Sequence, residues 1–276
     1  MRVDKISIVL STGAARFEAV AFKGDFANNV VKIAGWGYTG IELAIRDPEL
    51  VNGKELKDRL AEHGLVVPAI GTGQAWGEEG LSLSSSDAGV RQNAINRIKK
   101  HIALAQQLDA LVIIGLIRGK TPQNQDFTQS LHYLSESLRE CQYLAGEAGV
   151  NLALEPINRY ETDLINSAGE ALELLGLIGG ENLGLLLDTF HMNIEEVSIE
   201  ETIRQCRSHI FHFHVADSNR KYPGAGHLDF KSFLATLAST GYKGWVSGEF
   251  LPYPDPETAA RMNIEYLRGV MDRLKT

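Results

Sequence analysis

The chain has 276 residues, 44% of them hydrophobic and 22% charged, and a formal net charge of -8. That length and composition allow a sizeable core and exclude general disorder, and so acidic a chain has no general attraction for the phosphates of nucleic acid. Two cysteines without CxxC spacing exclude a disulfide framework and fit a reducing compartment; no stretch approaches the roughly 18 apolar residues of a membrane span and no secretory leader is read, so a cytoplasmic protein with no membrane or nucleic-acid partner is expected.

Short apolar runs alternate with amphipathic helical segments from end to end. In chain order the expected strand–helix pairs are Ile6–Leu10 with Ala27–Gly35, Gly40–Ala44 with Lys54–His63, Val66–Ile70 with Val90–Leu108, and Ala110–Gly115 with Phe127–Ala148. They continue as Asn151–Glu155 with Ala168–Ile178, Gly184–Asp188 with Ile199–Arg207, Ile210–His214 with Phe230–Ser239, and Trp245–Glu249 with Glu257–Lys275. Most of the strands are continuous apolar runs rather than alternating ones, as expected for a parallel sheet buried on both faces. Ser167, Asp229 and Pro256 mark helix starts, and Gly35, Gly64, Gly149 and Gly241 mark helix ends.

Eight strands in strict alternation with eight helices leave a closed barrel or an open doubly wound sheet. No GxGxxG or GxxxxGK[ST] follows the first strand, and the 276 residues divide into about 34 per unit, so a single-domain (β/α)8 barrel over residues 1–276 is expected. The long segments after the strands, 11–25, 71–88, 117–126, 156–167, 189–198, 215–228 and 250–256, are read as loops. In a barrel they gather on the C-terminal face, where such enzymes carry their sites.

Four strands end in a potential metal ligand: Glu155 after Leu152-Ala153-Leu154, Asp188 after Leu185-Leu186-Leu187, His214 after His212-Phe213, and Glu249 after Val246-Ser247-Gly248. The gaps of 33, 26 and 35 residues are each close to one βα unit, so the four groups stand at one level of the barrel mouth. A carboxylate ending an apolar run is costly when unpaired, and one cation in the middle relieves all four. Three carboxylates and an imidazole suit a divalent ion such as Mn, Mg, Co or Zn, and ligand type alone does not choose among them. Of the two histidines in His212-Phe213-His214, one is expected to point into the barrel and the other between barrel and helices. His214, at the strand end, is taken as the ligand and His212 as structural.

The segments ALEPINRYE, LDTFHMNIEE, HFHVADSNR, PGAGHLDF and the final GEF resemble those of the ketose 3-epimerases of the xylose-isomerase-like barrel superfamily, the D-tagatose 3-epimerase-like group, across the whole second half. The strings AFKGD, AIRDP, AIGTGQAW, GLSLS and LVIIGLIRGK of the first half resemble more narrowly the 5-keto-L-gluconate epimerases. The resemblance implies a divalent-metal-dependent isomerase, with Glu155, Asp188, His214 and Glu249 as ligands and manganese the favoured ion. It makes Glu155 and Glu249 the acid/base pair, and Glu161, His191 and Arg220 the residues that hold substrate oxygens. It also implies a homodimer or homotetramer acting on a small sugar or sugar acid. The chemistry agrees: inverting a carbon beside a ketone removes a proton from one face and returns one to the other, through an enediolate whose charge a cation stabilises.

An acid substrate would need a cation at the barrel mouth. Lys23, Arg46, Arg118 and Lys120 are the candidates, with Arg118, aided by Lys23, expected to hold the carboxylate. Gln74 and Trp76 are expected to line the sugar site, and Trp36 and Trp245 to pack between elements. The turn Gly71-Thr72-Gly73 keeps a sugar phosphate as a lesser option. The superfamily also holds hydroxypyruvate isomerases and endonuclease IV-type repair enzymes. The latter need further histidines after strands three and four, where this chain has Ile70-Gly71 and Ile114-Gly115. An aldose–ketose isomerase and a non-catalytic sugar-binding protein remain open on the sequence alone.

Overall fold

The computed structural model describes residues 5–13 and 18–274. Lys275, the end of the last expected helix, and residues 14–17 of the first expected loop lie outside the described residues, as do both ends of the expected 1–276 domain. In chain order the elements are β1 (Ile6–Ser11), the two-residue β2 (Phe22–Lys23), α1 (Phe26–Gly35), β3 (Gly40–Ala44), α2 (Gly53–Ala61), β4 (Ala69–Gly71), α3 (Gly73–Glu79), α4 (Ala88–Leu108) and β5 (Leu111–Ile114). They continue with α5 (Phe127–Glu147), β6 (Leu152–Leu154), α6 (Ala168–Ile178), β7 (Leu183–Asp188), α7 (Thr189–Glu195), α8 (Ile199–Gln205), β8 (Ile210–Val215), α9 (Phe230–Ser239), β9 (Val246–Gly248) and α10 (Pro256–Arg273).

Strands β1 and β3 to β9 pair in chain order, all parallel, and β9 returns to β1 through Ile6↔Val246, Ser7↔Ser247 and Ile8↔Gly248. These eight strands therefore close into the (β/α)8 barrel expected from the alternation, with the short β2 added beside the end of β1 through Leu10↔Phe22 and Ser11↔Lys23. Alternation along each strand splits the side chains into two sets. Leu152, Leu154, Leu185, Leu187, Phe213 and Val215 join the continuous core between barrel and helices. Ala69, Ile113, Ala153 and Leu186 form a separate apolar cluster that fills the barrel beneath its mouth. No helix among the described residues is long and apolar enough to cross a membrane.

The expected caps form. Ser167 and Glu170 make a reciprocal capping box at α6, Asp229 accepts from the Ser232 N–H, and Asp255 caps α10 with Pro256 in the first turn. Three expectations need correction. The third strand begins at Ala69 rather than Val66, because Pro68 has no N–H to give to the ladder, leaving only an isolated Gly40↔Val66 bridge before it. Helix α1 ends on Trp36, with Gly37 rather than Gly35 taking the left-handed backbone at φ 92°. Two segments read as loops contain the helices α3 and α7, and both stand over the barrel mouth.

Candidate metal and sugar site

Glu155, Asp188, His214 and Glu249 meet at the C-terminal mouth. Each offers one ligand atom, and the four atoms lie within 4.8 Å of one another. Local irregularity places two of them. Leu185 pairs with Ile210, but the register then slips so that Leu186 pairs with His212 and Asp188 with His214. Without that bulge Asp188 would sit beside Phe213, whose side chain faces the helices, and so the bulge sets carboxylate and imidazole side by side. One Asp188 oxygen accepts from the Phe190 N–H at 2.8 Å, capping α7, which leaves the other for the site.

The electrostatics show a site short of positive charge. Glu155 Oε1, Asp188 Oδ2 and His214 Nδ1 are buried with no hydrogen-bond partner, an arrangement folded proteins avoid unless something binds there. Burial, and then the neighbouring Glu249 charge, raises the Glu155 carboxyl well above the ordinary carboxylate range. Burial also raises Asp188, and pushes Glu249 up to about 7 against the pull of His214 and Arg220. Burial opposes charge on His214, but Glu42, Glu249 and Glu155 outweigh it and push the imidazole up to about 10. Converging orphan acceptors with three oxygen donors and one nitrogen fit a divalent cation.

The assignment of His212 and His214 to opposite faces is wrong. They are two residues apart on one strand, so a period of two puts both on the same face. Both point into the barrel and meet Glu42 of β3, a residue the sequence reading passed over. Glu42 accepts from His212 Nε2 at 2.8 Å and from His214 Nε2 at 2.9 Å.

His191 occupies the first turn of α7, with Nε2 at 3.8 Å from Glu155 Oε1 and 4.0 Å from Asp188 Oδ2. Asn158 Nδ2 lies 2.7 Å from His191 Nδ1 and 3.1 Å from Glu161 Oε1. Burial first, then the positive charge of Arg220, holds His191 well below its ordinary pKa and therefore neutral. Arg220 donates to Glu161 Oε1 at 2.7 Å and Glu249 Oε2 at 3.4 Å, and its guanidinium lies 4.7 Å from the centre of the Phe190 ring. The metal-ligand set and the expected oxygen-binding residues are thus one connected constellation, to which the structure adds Glu42, Asn158 and Phe190.

These groups open into a cavity of about 280 Å³. Glu155, Glu161, His191, His214, Arg220 and Glu249 line one end, and Val9, Val20, Trp76, Ile113, Leu116 and Ile157 give it an apolar wall. Gln74 lines it too, donating to Ser11 Oγ at 2.9 Å. The expected carboxylate-binding cations are elsewhere. Arg118 is wholly buried and off the cavity wall, donating to the main-chain carbonyl of Glu155. Lys23 is exposed on β2, away from the wall; Arg46 pairs with Glu78 and Glu79; Lys120 sits 5.9 Å from the Trp76 ring centre, outside the lining.

Comparison with known proteins agrees with this geometry. Residues 30–270 match the family described as xylose isomerase-like TIM barrel. The D-psicose 3-epimerase of Ruminiclostridium cellulolyticum is 30% identical over 233 residues, covering 82% of this chain and 78% of that protein. The 3-dehydro-D-guloside 4-epimerase of Escherichia coli strain K12 is 28% identical over 261 residues, covering 88% of this chain and 95% of that protein. Among solved structures an L-ribulose 3-epimerase superposes with a TM-score of 0.85 at 26% identity, covering 98% of this chain and 95% of that one.

Proposed function

The chain belongs to the xylose isomerase-like TIM barrel family and is a sugar epimerase; from that premise we propose that it is divalent-metal-dependent and inverts the carbon next to the carbonyl of a ketose or keto-uronate. The relatives' names support the position of the reaction: a 2-ketose inverted at carbon 3 and a 3-dehydro sugar inverted at carbon 4 both react beside the ketone. The observation that carries the reading is that Glu155 and Glu249 both line the cavity and both belong to the ligand cluster.

Glu155, Asp188, His214 and Glu249 would hold the ion, with manganese the first to test. When bound, a divalent ion supplies positive charge against the charge that develops on an enediolate. The protein's own groups do the rest. Glu155 and Glu249 act as base and acid, one taking the proton from the substrate carbon and the other returning one to the opposite face. His191, its Nδ1 engaged by Asn158, turns an Nε2–H toward the reacting oxygens. Arg220, held by Glu161, Glu249 and Phe190, donates to a neighbouring substrate oxygen. The apolar wall limits water around the carbanion-like centre.

The test is proton NMR in heavy water with manganese-loaded protein and a panel of free ketoses, keto-uronates of the 5-keto-L-gluconate type and ketose phosphates. A product epimer with deuterium at the inverted carbon is expected. Deuterium at carbon 1 with aldose formation would instead make the chain an aldose–ketose isomerase, and binding without exchange would make it a sugar-binding module.

A further inference from the structure

Glu42 is a single carboxylate in the middle of an apolar strand, Gly40-Ile41-Glu42-Leu43-Ala44, and is 2% exposed. Its position is filled by two hydrogen bonds, to Nε2 of His212 and Nε2 of His214. A carboxylate can only accept, so both imidazoles carry a proton on Nε2. The other nitrogen of His214, Nδ1, then faces the cluster, 3.8 Å from Glu249 Oε2 and 4.0 Å from Glu155 Oε1. The alternative tautomer would set an Nε2 lone pair against a buried carboxylate.

We propose that Glu42 is a positioning residue of the metal centre: it fixes His214 as an Nδ1 ligand with a charge-assisted bond to its far nitrogen, while His212 holds Glu42 in place from the opposite side. This rests on the reading of Glu155, Asp188, His214 and Glu249 as ligands. A carboxylate behind a ligating imidazole fixes its orientation and strengthens its donation to the ion, and removing such partners lowers metal affinity by about 10- to 100-fold. Held between two N–H donors, Glu42 keeps its full charge for His214 inside a barrel that would otherwise penalise it.

The first test uses the unaltered chain with ¹⁵N-labelled histidine, observed by NMR before and after addition of zinc alone. The expected result is a large shift of His214 Nδ1 on zinc binding with both Nε2–H signals retained; a shift of His214 Nε2, or loss of its proton, overturns the proposal. The second test titrates cobalt into Glu42→Gln. Affinity is expected to fall about 10- to 100-fold, with altered visible cobalt bands, and unchanged affinity and bands would overturn the proposal. A purely structural role would lower the melting temperature of the metal-free variant without moving the cobalt bands. Should Glu42→Gln fail to fold, the zinc experiment decides alone. Failure of the unaltered chain to bind zinc or cobalt would remove the metal reading together with this one, whereas binding through His214 Nε2 removes only this one.

Discussion

Asn158 Nδ2 stands 2.7 Å from Nδ1 of His191, and the Oδ1 of the same amide accepts from the Tyr160 N–H. The amide is thereby oriented as a donor to the ring, and His191 is left with its proton on Nε2, on the side of Glu155. Replacing Asn158 by Asp puts an acceptor where the donor was and draws the proton to Nδ1. By the usual worth of one donor to a developing oxyanion, kcat is expected to fall about 10²- to 10³-fold with little change in KM. Steady-state kinetics and the ¹⁵N shifts of His191 check this together; full activity with the tautomer reversed would remove His191 from the mechanism.

Metal binding should release protons, with a defined pH dependence. In the metal-free fold Glu155 and Asp188 are raised, Glu249 is raised to about 7 and His214 to about 10. A folded-state pKa above the unfolded value gives stability that is present at low pH and lost as pH rises through the folded value. The metal-free melting temperature should therefore decline as pH rises from about 5 to 7 through the carboxylates, and further toward 10 through His214. Glu42, held below its ordinary value by His214 and His212 against the effect of burial, acts in the opposite sense and only at acid pH. An ion displaces the protons, so affinity should rise over the same range. Calorimetric titration of manganese in two buffers of different ionisation enthalpy measures the release, and zero release at pH 6 would sink the argument.

The four ligands were legible because each ends an expected strand and the strands repeat at one βα unit. Glu42 was harder because it interrupts a run instead of ending it. Its signal was present, as a lone charge in an apolar strand has to be compensated, but its partners lie 170 and 172 residues away and only barrel closure brings them near. The helices α3 and α7 were read as loops for local reasons. The first contains Gly73 and Gly77, which lower helix propensity, and each has only seven residues, too few to show a period. Asn158 sits in the segment quoted as ALEPINRYE, yet nothing local to it points at a histidine 33 residues on.

Gly115 leaves room for a ligand. A Cβ there would stand 2.9 Å from Glu155 Oε2. The far end of a flexible side chain gives way more easily than backbone, so Gly115→Ala should fold and melt close to the parent. The displaced carboxylate should instead weaken manganese binding and cost about 10- to 100-fold in kcat/KM, since ångström-scale misplacement at a reacting group is expensive. Affinity and kcat/KM both within twofold of the parent would mean that the site tolerates Glu155 elsewhere.

Arg220 is held at φ 58° with its N–H on the Asp217 carbonyl at 2.7 Å, and its planar head spans Glu161 and Glu249 over Phe190. Lysine carries the same charge as a single point and can neither bridge two carboxylates at that spacing nor stack as a plane. Arg220→Lys should thus lose about 10²-fold in kcat/KM, comparable to removing one aligned donor. Kinetics on whichever panel sugar is turned over would check it, and a loss under threefold would reduce Arg220 to a charge.

Arg118 offers the sharpest contrast between sequence and structure. Its place after the fourth barrel strand suggested a hand for a substrate carboxylate, but the side chain is 0% exposed and its guanidinium is engaged by the Glu155 carbonyl behind the metal cluster. From there it does not reach the cavity wall, where a keto-acid and a neutral ketose would be told apart. What it can do is hold the end of β6, and so Glu155, in position. Arg118→Ala should lower kcat/KM by the same factor for both substrate classes. It should also lower the melting temperature, since the hydrogen bond to the Glu155 carbonyl and the packing of a wholly buried side chain are lost. Thermal melts and paired kinetics on a ketose and a keto-uronate test this. A loss confined to the keto-uronate would mean that Arg118 reaches the substrate after all and that the cavity wall rearranges on binding.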